Sequence, residues 1–195
     1  MGLNETKWTR HTDWVTQEHY TFLLPTVPKE IVGEGVGLAI KNDHLPSLLA
    51  FHSYSSRVLR AKFKGKGRDL SVVVAYFPTN ATTTTDTDRD KFYRDLQTAY
   101  TDCGSQDVKL LLMDGNVETG NRRDLFPNLL GPHAVPEVGP PTETTPNGER
   151  FIDFCITNNL ILGYSWFQKP IKVFEVKVLG KCVALCTSEC SRRFR

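Results

Sequence analysis

The stretch LLLMDGNVETG, residues 110–120, runs an apolar segment straight into Asp114, Gly115 and Asn116. A glycine directly after the aspartate lets the backbone turn sharply. A carboxylate and an amide are thereby presented one residue apart at the end of an apolar run. Both offer hard oxygen atoms, which suit Mg²⁺, the orientation of a water, or a bond to a phosphate oxygen. The same residues are also favoured formers of a simple turn. A second apolar run, VVVAYFPTN from Val72 to Asn80, likewise exits into polar groups, Tyr76 and Asn80, around Pro78. Tyr76 carries a hydroxyl that could be donated to a phosphate oxygen as charge develops; the alternative is an aromatic packed at a strand end. Near the N-terminus, GLNETKW sets Glu5 between Leu3 and Trp8. A carboxylate there could bind a divalent cation, or be an ordinary solvated surface group. Arg60, Lys62, Lys64, Lys66 and Arg68 form a basic stretch. It could touch a phosphate backbone or simply be a solvated turn.

Several elements must hold these groups. The opening Met1 to Trp8 reads as the end of a short strand with a polar exit. GVGLAI (35–40), Leu48 to Phe51 and Arg57 to Phe63 have strand character, and KGKGRD (64–69) is turn chemistry between two strands. LSVVVAYF (70–77) is an apolar, β-branched run suited to a strand buried on both faces. ATTTTDTD (81–88) is a polar loop that supplies Thr and Asp N-cap candidates. The periodicity predicts a helix over Arg89 to Cys103, with Phe92, Leu96, Ala99 and Cys103 on one face and Gly104 as its stop. A strand is expected from Val108 to Met113. A second amphipathic helix is expected over 149–160, and ILGYSWF (161–167) reads as a further strand. Residues 121–148, rich in Pro and Gly, form a long connection. Strands alternating with helices indicate an α/β or α+β sandwich.

The 195 residues fit a single domain over 1–195, with no linker and no fixed-period repeat. Apolar content of 39% and charged content of 24% are ordinary for a globular protein. No apolar run approaches a membrane span. The N-terminus has no apolar signal-peptide core, so the expectation is an intracellular rather than a secreted protein. A nuclear location would follow from a DNA substrate, although no basic targeting cluster supports it. The net charge of +2 gives no global pull on nucleic acid or membrane. The five cysteines are read as reduced thiols. Cys182, Cys186 and Cys190 have helical i, i+4 spacing, but no histidine follows to complete a metal site.

The three polar strand ends together carry a family resemblance. LNETKW resembles the glutamate motif of the endonuclease/exonuclease/phosphatase family, AYFPTN its strand end with Tyr and Asn, and MDGNVETG its aspartate–asparagine motif. GVGLAIKND, SSRVLRAKFKGKG, FYRDLQTAYTDC, NGERFIDFCITNNL and WFQKP resemble one branch in particular, the retrotransposon-derived (LINE-type) endonuclease domains often labelled craniofacial development protein 2-like. The likeness covers residues 2–172 and leaves a divergent tail, 173–195. It implies a four-layer α/β sandwich of two packed β-sheets flanked by helices, and hydrolysis of DNA phosphodiester bonds with Mg²⁺ or Mn²⁺. Glu5 matches the metal-binding glutamate, and Asp114 the aspartate that orients or deprotonates the attacking water. Asn116 matches the asparagine that holds a phosphate oxygen. Tyr76 matches the tyrosine that supports the transition state, and Asn80 a substrate-contacting position.

Two parts of the family pattern are absent. The family's first strand, ending in asparagine, would precede this sequence. The tail contains neither the late aspartate nor the histidine of the family's closing motif. His11, His19, His44, His52 and His133 match no family position. The sequence therefore reads as a domain truncated at both ends, with an unpaired sheet edge and impaired turnover. DNA is the expected partner; no obligate protein partner is evident. Two other functions stay open: a catalytically inactive remnant that binds nucleic acid or protein, and a phosphatase acting on a small phosphate ester.

Overall fold

The structure, a computed structural model, describes residues 1–8, 14–25, 35–78, 84–114, 123–133, 144–166 and 181–186; for residues 114, 164 and 181–186 it describes the backbone alone. Among the described residues, ten strands form two sheets. The first contains β1 (Gly2–Asn4), β2 (Trp14–Thr16), β3 (Tyr20–Leu23) and β4 (Val36–Lys41), in the order β1-β4-β3-β2. The second contains β5 (Leu48–Ser55), β6 (Val58–Phe63), β7 (Leu70–Tyr76), β8 (Val108–Asp114), β9 (Leu160–Leu162) and β10 (Lys181–Cys186), in the order β5-β6-β7-β8-β10-β9. Helices α1 (Asp86–Thr101) and α2 (Pro146–Thr157) accompany them.

β7 sits inside the six-stranded sheet, and its alternation divides the core. Val72, Val74 and Tyr76 face the four-stranded sheet and pack with Leu23, Val36, Leu38 and Ile40. Val73, Ala75 and Phe77 face the helices and pack with Phe92, Leu96, Phe151 and Ile152. A strand buried on both faces needs apolar residues at every position, and LSVVVAY supplies them. The expected α/β architecture of two packed sheets with flanking helices is therefore observed. Among the described residues, both α-helices lie on the six-stranded sheet.

The parallel pair β7–β8 needs a crossover, and α1 provides it. Thr85 accepts from the Asp88 N–H at 3.2 Å while Asp88 accepts from the Thr85 N–H at 3.0 Å. This reciprocal cap starts the helix three residues before the expected Arg89. α2 starts earlier than expected for a similar reason: Thr145 accepts from the Gly148 N–H at 3.1 Å, and Pro146 occupies the first turn. The expected strand over 161–167 is shorter, because Gly163–Ser165 closes into a 3-10 turn.

The β6–β7 turn depends on glycine. A Cβ at Gly65 would collide with the Arg68 carbonyl, and Gly67 has φ +126°. β1 lies at an edge of the four-stranded sheet. β8 is not at an edge, because β10 pairs with it from Lys181↔Asp114 to Cys186↔Lys109. This corrects the helical reading of Cys182 and Cys186, which lie on a strand. Pairing with an apolar neighbour outweighs an i, i+4 coincidence. Cys190 lies outside the described residues. No helix among those described is long and apolar enough to cross a membrane.

Candidate active site

The site is built where β1 crosses the ends of β7 and β8. A Cβ on Gly2 would lie 3.1 Å from Leu112 Cβ and 3.3 Å from Val74 Cγ1, so the sheets approach closely there. Two residues further along these strands come Asn4, Tyr76 and Asp114. Tyr76 and Asp114 are register partners in the parallel β7–β8 pair. Asn4 shares the Gly2 face of β1, since side chains alternate along a strand.

The chain then leaves β1 through Glu5, whose φ of 54° lies in the left-handed region, as does that of Lys7 at 50°. Such a conformation costs a non-glycine residue roughly 1–2 kcal/mol. The Thr6 N–H holds the exit by donating to the Gly35 carbonyl at 3.1 Å. The turn sets the Glu5 carboxylate against Tyr76, whose hydroxyl donates to Glu5 Oε1 at 2.7 Å. Tyr76 is 6% exposed and Glu5 is exposed, so the pair spans the boundary between core and solvent. Asn4 Oδ1 is buried and accepts no hydrogen bond among the described residues. An orphaned amide oxygen beside an exposed carboxylate is a hard-oxygen donor set of the kind Mg²⁺ or Mn²⁺ takes. Among the described residues, no group of three His, Cys, Asp or Glu could hold a metal.

Arg57, in the turn between β5 and β6, wraps the end of β7. Its carbonyl accepts from the Tyr76 N–H at 2.9 Å. Its Nη1 donates to the Tyr76 and Phe77 carbonyls, each at 3.4 Å. The guanidinium lies 5.2 Å from the Tyr76 ring centroid. On the other side, fully buried Asn147 donates from Nδ2 to the Pro78 carbonyl at 3.1 Å. Asn147 in turn accepts from the Tyr93 hydroxyl on its carbonyl and on Oδ1, at 3.1 and 3.2 Å. Burial pushes the Tyr93 hydroxyl far above its ordinary pKa, so it stays a donor.

Among the residues singled out from sequence, the structure brings Glu5 and Tyr76 into contact and sets the Asp114 backbone beside Tyr76. Asn80 and Asn116 lie outside the described residues. Lys62 pairs with Ser71, five positions back along β7 from Tyr76, which at strand rise is about 17 Å away. Its ammonium donates to Asp107 Oδ1 at 3.0 Å and lies 3.5 Å from Asp69. Lys64 is exposed and 3.9 Å from Asp69. Arg60 donates to the Tyr54 hydroxyl at 3.2 Å, and Arg68 to the Gln106 carbonyl at 2.6 Å. Lys62 and Lys64 thus lie at the far end of the sheet from Tyr76. Arg57, Asn4 and Asn147 were not legible as site residues. The nearest signals are the polar neighbour of Glu5 and the Thr–Pro helix start before Asn147.

No protein-family model matches the chain. Craniofacial development protein 2 from Tragulus javanicus is 26% identical over 170 residues, covering 87% of this chain and 28% of that protein. The Bos taurus protein of the same name is also 26% identical over 170 residues, covering 87% of this chain and 27% of its own length. This chain is similar to craniofacial development protein 2. The resemblance to domains labelled craniofacial development protein 2-like is borne out by that similarity, and the chain spans little more than a quarter of these relatives. Among solved structures, D. rerio TDP2 humanized by 14 mutations matches with TM-score 0.47 at 11% identity, over 88% of this chain and 60% of that one. The endonuclease domain of TRAS1, a telomere-specific non-LTR retrotransposon, matches with TM-score 0.46 at 10% identity, over 86% of this chain and 66% of its own.

Proposed function

We propose that this chain is a divalent-metal-dependent endonuclease domain of retroelement origin that hydrolyses DNA phosphodiester bonds at the Glu5–Tyr76–Asp114 strand ends. The observation that carries this reading is the Tyr76–Glu5 hydrogen bond, made between two sheets at the register position of Asp114. In phosphoryl transfer, a protein mostly positions groups and neutralises developing charge. Glu5, with Asn4 beside it, would hold Mg²⁺ or Mn²⁺; when bound, the ion supplies neutralisation of phosphoryl charge. The Tyr76 hydroxyl needs only rotation about its C–O bond to leave Glu5 and donate to a phosphoryl oxygen in the same mouth. Asp114 would orient the attacking water, and Asn116 would hold a phosphate oxygen. Asn80 would contact the substrate, and Arg60, Lys62 and Lys64 would follow the phosphate backbone. The tail has no aspartate or histidine to serve as a further acid or base.

The test is nicking of supercoiled plasmid DNA by the purified protein in Mg²⁺, with EDTA and Asp114→Ala as controls. Metal-dependent nicking that disappears in Asp114→Ala supports the reading. A folded protein that never nicks overturns it. Retained DNA binding would then favour the inactive binding module, and release of phosphate from small esters would favour a phosphatase.

A further inference from the structure

The geometry points to Arg57 as a positioning residue that sets the Tyr76 phenol against Glu5. β7 ends in a difficult place. Among the described residues, ladder pairing reaches as far as Tyr76, and Pro78 contributes no N–H. Arg57 binds both backbone groups of Tyr76 at this end. Its own carbonyl takes the Tyr76 N–H, and its guanidinium returns to the Tyr76 carbonyl and the next one along. The same guanidinium lies over the ring. The backbone and the ring plane of one residue are thus held by one residue of a neighbouring turn, its carbonyl on the Tyr76 N–H and its guanidinium on the carbonyls and the ring. A planar, multiply donating cation can do this; an ammonium offers a single compact charge.

Arg57 bonds to backbone, and its contact with the hydroxyl end of the ring is indirect. Its effect on chemistry therefore runs through where the Tyr76 hydroxyl lies. The consequence for turnover rests on the phosphodiester-hydrolase reading; the placement of Tyr76 does not. A misplacement of about 1 Å in a reacting constellation can cost roughly 10²-fold in rate.

The experiment uses the full chain with a carbon-13 label at tyrosine Cζ. The Tyr76 resonance is assigned by its loss in Tyr76→Phe, and the buried Tyr93 resonance reports that the fold is intact. In Arg57→Met, the Tyr76 resonance is expected to move toward the position it takes in Glu5→Gln while Tyr93 stays in place. In Arg57→Lys, which keeps a cation but not the fork, an intermediate position is expected. In plasmid nicking, Arg57→Met is expected to lower kcat about tenfold to a hundredfold with KM little changed, and Arg57→Lys to recover part of that loss. If Arg57→Met does not fold, Arg57→Lys alone decides. An unmoved Tyr76 resonance in a folded variant overturns the inference. If the wild-type chain does not nick, the hydrolase reading fails, and the resonance still decides the role of Arg57.

Discussion

The Tyr76 hydroxyl donates to Glu5 Oε1 at 2.7 Å across 71 residues of chain, and this bond ties the two sheets together at their polar rim. A neutral donor on a carboxylate makes a strong hydrogen bond, although the exposure of Glu5 limits its worth. Tyr76→Phe is expected to cost about 1 kcal/mol in denaturant unfolding. The same change is expected to slow metal-dependent nicking by about 10²-fold, the scale of one lost donor to developing charge. Unchanged nicking would remove Tyr76 from the chemistry.

Asn147 is the buried hinge between α2 and the β7 exit. Removing its side chain strands the Pro78 carbonyl and leaves the Tyr93 hydroxyl with the Asn147 carbonyl alone. Asn147→Ala is expected to destabilise the fold by about 2 kcal/mol. Amide exchange measures where the loss falls. Faster exchange at the end of β7 and in α1 around Tyr93 is expected, with the four-stranded sheet unaffected.

Asp107 anchors the opposite end of the six-stranded sheet. It is 8% exposed and accepts from Ser71 at 2.7 Å, from the Gly104 N–H at 3.0 Å and from Lys62 at 3.0 Å. Burial pushes its carboxyl up, but these bonds outweigh burial and hold it below the usual range. A depressed folded value stabilises the protein fully above the unfolded value of about 3.9. That contribution is lost as pH falls through the folded value. Lys62 shifts the other way, chiefly through its hydrogen bond to Asp107, and its contribution fades only in strong alkali. Denaturant midpoints measured from about pH 7 down to about pH 2 are expected to fall less steeply in Asp107→Asn than in the wild type.

The same network bears on the basic hairpin. Lys62→Gln is expected to lower stability, because its ammonium is already engaged by Asp107 and Asp69. Lys64→Gln, at an exposed position, is expected to leave stability within about 0.5 kcal/mol. If DNA binding uses this hairpin, Lys64→Gln will flatten the dependence of affinity on salt. An unchanged salt slope would remove Lys64 from the interface.

Cys103 and Cys155 lie outside any disulfide and are buried, at 4% and 0% exposure. Burial pushes the Cys103 thiol up, away from the reactive thiolate. Iodoacetamide is expected to spare both in the native protein and to label both in denaturant, as read by peptide mass mapping. Native labelling at Cys155 would place that thiol outside the core.

The local elements were legible because their causes are local. β-branched residues along LSVVVAY, apolar spacing through Phe92, Leu96 and Ala99, and Thr caps at Thr85 and Thr145 each act within a few residues. The order of the polar strand ends was legible too, since it is a property of the sequence alone. The meeting of those ends depended on tertiary structure. Glu5 reaches Tyr76 because a glycine at position 2 lets β1 approach Val74 and Leu112, and a left-handed turn then redirects the chain. Arg57 and Asn147 carry no local sign of their task, because their partners are carbonyls supplied by other elements. Cys182 and Cys186 show the reverse. Their spacing is helical, yet pairing with β8 places them on a strand. Lys62 looks like a solvated basic residue until folding brings Asp107 beside it. Local propensity is set by neighbours in sequence, whereas a site is set by contacts whose cost in chain closure is offset only when both sheets pack together.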